Sequence, residues 1–207
     1  GGLGVFAIWR GPGGFTGGKT IDALTSHVDF APTLFDTLGI EPPGGYQGVS
    51  LLPLVTGERE RVRDAVFGEI NYHAAYQPER CVRTERWKYV RRFNHRTQRV
   101  LPNCDESPSK SLLLDHGWGD QPVAEEELFD TALDPEERRN LLDAEGQPRH
   151  ASHRDTVAQM RHRLSTWMEE TEDPLRRGYV EPPAGATVND PDMVSPQSWT
   201  WQRRAGE

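Results

Sequence analysis

Between residues 66 and 93 the sequence places a carboxylate (Glu69), an imidazole (His73) and five guanidinium groups: Arg80, Arg83, Arg86, Arg91 and Arg92. Guanidinium groups match carboxylate, phosphate and sulfate oxygens two at a time. A carboxylate and an imidazole four residues apart can hydrogen-bond hydroxyl groups or move protons. The set therefore suits an anionic ligand that also carries polar groups. His73, Glu69, Arg80 and Arg83 are the candidate binding residues. Two simpler roles compete with that reading. Glu69 can pair with a nearby arginine, and Arg80 and Arg83 can form a solvated basic face paired to Glu79 and Glu85.

These residues need strands and loops to position them. Residues 65–72 and 81–93 read as two strands with a loop, residues 73–80, between them, and Trp87-Lys88-Tyr89-Val90 alternates aromatic with polar. Lys88 and Tyr89 are expected to face solvent and core in turn. Upstream, Val5 to Trp9 reads as a short buried strand that ends at Gly11-Pro12-Gly13-Gly14. Those glycines read as a plain turn, because a phosphate loop needs its glycines just before a helix N-terminus. Ser26 and Asp29 have capping-box spacing. Val28, Ala31, Leu34, Phe35 and Leu38 then recur at helical spacing, and Gly39 stops the helix. A short helical turn follows within residues 49–57. Residues 58–64 form a charged linker. Residues 94–127 read as a long irregular connection, a kind that commonly shapes a binding surface. An edge strand at 127–130, a turn and a helical turn follow. Residues 152–170 give the clearest helix, with Val157, Met160, Leu164, Trp167 and Met168 on one face. Proline-rich text from Thr171 onward predicts an extended tail.

Bulk properties narrow the class. The chain has 207 residues, 35% of them hydrophobic, with a formal net charge of -8. Its mean hydropathy is -0.73. That balance excludes wholesale nucleic-acid binding. No apolar run approaches the roughly 20 residues of a membrane-spanning helix. Cys81 and Cys104 are too few for a metal knuckle. They read as two reduced, partly buried thiols, with a disulfide as the alternative. A glycine start leading directly into an apolar run predicts the C-terminal piece of a longer protein.

The order of these segments resembles the C-terminal part of a sulfatase of the alkaline-phosphatase-like superfamily. The words are RGPGG, SHVDFAPTLFDTLGI, QGVSLLPLVTGE, VFGE with the following His73, RTERWKYVRRF, ELFDTALDPEERRNLL and LSTWMEETEDP, spread over residues 3–175. FGEINYHAAYQPERCVRTERWKYVRRF, with CDESPSKSLL beyond it, is similar to the heparan N-sulfatase (N-sulfoglucosamine sulfohydrolase) branch.

The resemblance implies an α/β fold. Residues 1–63 would carry the last strand and helices of a large parallel-sheet domain. Residues 64–175 would form a smaller α+β subdomain with an antiparallel sheet and a C-terminal helix, and residues 176–207 a proline-rich tail. It also implies hydrolysis of a sulfate ester or sulfamate on a carbohydrate, glycosaminoglycan among them, by a formylglycine nucleophile and a calcium ion. Neither Cys81 nor Cys104 lies in a Cys/Ser-x-Pro/Ala-x-Arg motif, and the family's Asp-Asp pair is absent. Nucleophile, metal ligands and catalytic lysine are therefore expected upstream of Gly1, with no catalytic or metal-ligating residue in this chain. Asp115-His116-Gly117 copies a metal-ligating tripeptide of the family but falls too late in the order, and reads as loop. His73, Glu69, Arg80 and Arg83 would then line the sugar pocket. The implied partners are a sulfated carbohydrate and the N-terminal sulfatase domain. A phosphodiesterase or phosphonate hydrolase of the same superfamily, or a non-catalytic module binding sulfated glycans, would carry the same text.

Overall fold

The computed structural model describes residues 4–12, 14–196 and 198–200. They divide into two compact units, one of residues 1–66 with 83–87, the other of residues 67–82 with 88–207.

The first unit is built around a buried carboxylate. After a single turn of tighter helix at His27–Asp29, helix α1 runs Phe30–Leu38. Asp29 is fully buried. Its Oδ2 accepts the Ser26 N–H at 2.8 Å, as the capping box requires, and its Oδ1 accepts the Val49 N–H at 2.9 Å. The Arg63 guanidinium pairs with the same carboxylate and balances its charge. One turn on, Thr33 Oγ1 donates to the Asp29 carbonyl at 2.6 Å and accepts the Leu51 N–H at 2.9 Å. That bond fixes the entry to helix α2, Leu52–Thr56. Gly39 closes α1 at φ 64°, a left-handed conformation that glycine adopts without strain. Gly48 allows a close approach: a Cβ there would lie 1.9 Å from the Val28 carbonyl oxygen.

Two expectations change in this unit. Residues 5–9 form no strand, and Phe6 and Ile8 are 88% and 87% exposed. A buried strand needs hydrogen-bonded neighbours on both sides, and the described residues supply none. Trp9 alone is anchored, stacked on Phe15 and edge-on to Phe30. The apolar stripe of α1 has the expected spacing, yet Val28, Leu34 and Leu38 face outward while Pro32 and Thr33 are buried.

The second unit contains a four-stranded antiparallel sheet: β1 Val66–Tyr72, β2 Tyr76–Arg83, β3 Trp87–Arg92 and β4 Glu126–Asp130, paired in chain order. Helix α4, Arg154–Glu170, ties to the sheet at three strands. Trp167 stacks on Phe67 of β1 with 5.0 Å between centroids, and Arg161 binds Glu126 of β4 through Nε at 2.7 Å and the Tyr89 hydroxyl of β3. Val157, Met160, Leu164 and Met168 of α4 are buried as their spacing predicts, together with Val82, Tyr89, Leu128 and Leu142. The edge of β4 is covered: Asn140 Oδ1 accepts the Leu128 N–H, and the Leu141 N–H donates to the Leu128 carbonyl.

The expected loop at 73–80 is mostly strand, because β2 begins at Tyr76. Pro78 disguised it, since proline lacks the N–H of a central strand. Its carbonyl still accepts the Phe93 N–H at 3.0 Å. The expected single strand at 81–93 is the end of β2, a turn and β3. Lys88 and Tyr89 do not alternate between solvent and core; both are buried, with Lys88 paired to Glu137. The irregular connection contains helix α3, Pro108–Asp115, with Ser107 as N-cap accepting the Lys110 N–H at 3.1 Å. No helical turn forms at 134–141; the chain makes turns there and then runs extended beside β4. Beyond α4, a short 3-10 helix at Pro174–Arg177 leads to β5, Thr187–Asn189, antiparallel to β6, Ser198–Thr200. Among the described residues no helix is long and apolar enough to cross a membrane.

Candidate substrate-binding site

The turn between β1 and β2 carries His73, and two asparagines from remote segments hold it. Asn103 Oδ1 accepts both the Ala74 N–H at 2.9 Å and the Ala75 N–H at 2.6 Å. Its Nδ2 donates back to the Ala75 carbonyl and to Gln77 Oε1. From the tail, Asn189 Nδ2 donates to the Ala74 carbonyl at 2.7 Å, and Asn189 bridges Ala75 in parallel. Ala75 is fully buried beneath this clamp, while the His73 side chain is exposed. A tight turn with its backbone groups satisfied and its imidazole directed to solvent is a rigid mount for a binding group.

Glu69 and Arg80 come together, with Arg80 Nε 3.6 Å from Glu69 Oε2. Their environments differ. The Glu69 side chain is 58% exposed, whereas the Arg80 side chain is 3% exposed. Arg80 binds the Asp173 carboxylate through Nε and Nη2. Its Nη1 donates to Asn71 Oδ1 at 3.0 Å and to the Ile70 and Glu79 carbonyls. Each of the three guanidinium nitrogens thus has a partner inside the protein. Arg80 braces the strand that bears Glu69. Asp173 also accepts the Leu175 N–H at 2.9 Å, which locks the chain as it leaves α4.

Arg83 ends β2, half-buried, and belongs with the first unit, whereas Glu69, His73 and Arg80 belong to the second. The remaining arginines do not form one basic face. Arg92 lies between Glu79 and Glu127, 2.9 Å from each. Arg86 and Arg91 lie over the rings of Trp87 and Phe93 at 4.8 and 5.0 Å. Strand alternation explains the dispersal: a run that is dense in sequence points to opposite sides of a sheet.

Asp115 is the last residue of α3 and His116 its C-cap, with the imidazole Nδ1 2.8 Å from the Leu112 carbonyl. No cluster of three or more potential metal ligands occurs among the described residues. Cys81 and Cys104 are free thiols, and burial pushes the Cys81 thiol up.

One group of side chains around the turn went unread in the sequence. Tyr72, Tyr76 and Tyr179 form an aromatic cluster, with ring centroids 4.7 Å apart for the first pair and 5.8 Å for the second. Burial, with the neighbouring Tyr179 and Tyr72 hydroxyls, raises the Tyr76 pKa to about 12. The adjacent Arg176-Arg177-Gly178-Tyr179 was the available signal, hidden inside text that read as tail.

The four-stranded antiparallel sheet and its helices match the C-terminal subdomain of solved sulfatases. A solved 2-O glycosaminoglycan sulfatase matches with a TM-score of 0.51 and 26% identity over 74% of this chain and 26% of its own. Residues 4–114 match the model of the family described as N-sulphoglucosamine sulphohydrolase, C-terminal, and the chain belongs to that family. It is 31% identical over 147 residues to an ulvan-active sulfatase of Formosa agariphila, covering 68% of this chain. It is 30% identical over 135 residues to an N-acetylglucosamine-6-O-sulfatase of Bacteroides thetaiotaomicron, covering 65% of this chain. The chain spans 29% and 20% of the lengths of these two relatives.

Proposed function

We propose that this chain is the substrate-selecting C-terminal part of a carbohydrate sulfatase that removes sulfate from an ester or a sulfamate. In this reading residues 1–63 complete the large α/β domain, residues 64–175 form the C-terminal subdomain and residues 176–207 form its tail. His73 and Glu69 hydrogen-bond the sugar, and Arg80 holds the Glu69 strand in place. The clamped His73 turn carries the proposal, because such mounting matters for a group that must meet a ligand in one orientation.

A formylglycine with a calcium ion would supply the attack on sulfur in the intact protein. The residues present here do not fit either group: both cysteines lack the modification motif, and Asp115 and His116, at the end of α3, belong to no cluster of potential ligands among the described residues. Both groups would be held by sequence outside this chain.

The test is selectivity in the intact protein. Replacing His73 by Ala is expected to raise KM for a sulfated sugar about tenfold, corresponding to a lost hydrogen bond. Turnover of a small aryl sulfate, which does not reach His73, should stay unchanged. Equal effects on both substrates, or none on the sugar, would refute the assignment.

A further inference from the structure

The tyrosine cluster is not core. Tyr72 and Tyr179 are 46% and 37% exposed, although three packed rings could have been buried for greater stability. The rings come from two remote places. Tyr72 and Tyr76 flank the His73 turn, while Tyr179 follows the 3-10 helix that Asp173 and Arg80 fix in position. Tyr76 is held in place because its hydroxyl donates to the Val180 carbonyl. Two residues before Tyr179, Arg177 is exposed and makes no ion pair among the described residues, while Arg176 pairs with Glu169. Tyrosine offers a flat apolar face with a polar tip. A pyranose offers the complementary surface, an apolar C–H face rimmed by hydroxyls.

We propose that Tyr72, Tyr76 and Tyr179 form a stacking subsite for a second pyranose of a sulfated oligosaccharide. It would be the neighbour of the sugar that His73 reaches, with Arg177 pairing with an anionic substituent. The inference rests on the reading of His73 given above and extends it from one sugar to two. Continuity favours this occupant, since the turn that carries His73 joins the two strands that carry Tyr72 and Tyr76. The protein should therefore distinguish a chain from a single sugar.

Nuclear magnetic resonance on the intact protein, with tyrosine and histidine rings labelled, tests the proposal with two probes, N-sulfoglucosamine and a heparin-derived tetrasaccharide. The tetrasaccharide is expected to shift the ring signals of Tyr72, Tyr179 and His73, and the monosaccharide only those of His73. Tyr72→Ala and Tyr179→Ala should each weaken the tetrasaccharide about threefold to tenfold, the range for one aromatic contact, and leave the monosaccharide unaffected. Tyr179→Phe keeps the ring face and should retain affinity, which separates stacking from a folding defect. Shifts at His73 with silent tyrosines overturn the subsite and leave the His73 reading standing. Shifts at the tyrosines with a silent His73 sink that reading and keep a glycan site on the rings. Silence at both, with either probe at millimolar concentration, overturns the two together and points to a protein segment as the occupant of this face.

Discussion

Asp173 carries more structure than its place in a connecting segment suggests. It neutralises the buried Arg80 guanidinium and caps the helical turn after α4. Removing one partner of such a pair strands the other charge in a poor solvent. Asp173→Ala is expected to lower stability by about 3–5 kcal/mol, read as a shift in the urea unfolding midpoint. Tyr76 gives a second prediction at this scale. Its pKa lies near 12 in the folded chain against an ordinary value of 10.0. Between those values the folded state holds a proton that the unfolded state has released, so stability falls as pH rises. Its contribution is complete below pH 10 and is lost as pH climbs through 12. Tyr76→Phe should flatten that alkaline decline in unfolding measurements between pH 9 and 12 (approximate bounds set by tyrosine ionisation).

Among the elements, the β1–β2 hairpin depends on groups that are not its neighbours in sequence. Asn103 Oδ1 answers two backbone N–H groups in the turn, Ala74 and Ala75. Asn103→Ala leaves both without that acceptor, at about 1–3 kcal/mol for each buried group. Hydrogen exchange at these two amides should accelerate, while exchange in α4 stays slow. Helix α4, the cap at Ser26 and strand β1 were all legible in the sequence, because each rests on local periodicity or a capping pair. Strand β2 was not, since Pro78 broke the pattern and only pairing with β1 and β3 makes the segment extended. The burial of Arg80 was hidden for a related reason. Its charge is evident in sequence, but Asp173, 93 residues away, decides that it is buried. The Tyr72–Tyr76–Tyr179 cluster joins residues more than 100 positions apart, and no spacing rule connects them.

For the whole molecule, the telling observation is where apolar side chains stay in water. Val5, Phe6, Ile8, Leu34 and Leu38 of the first unit are all exposed. Apolar patches of this sort mark surfaces meant to be covered. The chain alone is expected to bind an environment-sensitive dye such as anilinonaphthalene sulfonate and to self-associate. Light scattering checks the second outcome, and a monodisperse chain that leaves the dye dark would contradict it. No turnover of aryl sulfate is expected from this chain by itself, and measurable hydrolysis would place the chemical centre within it.

The asparagine clamp also bears on how specificity could be exchanged between relatives. A chimaera that received only residues 66–83 would arrive with two backbone N–H groups and one carbonyl in search of partners. The transferable module is discontinuous, consisting of the hairpin, the Leu101–Asn103 turn and the Thr187–Asn189 strand moved as a set. Recombination at a single breakpoint within residues 84–186 would separate them. A swap of all three segments is therefore the minimal graft with a working turn.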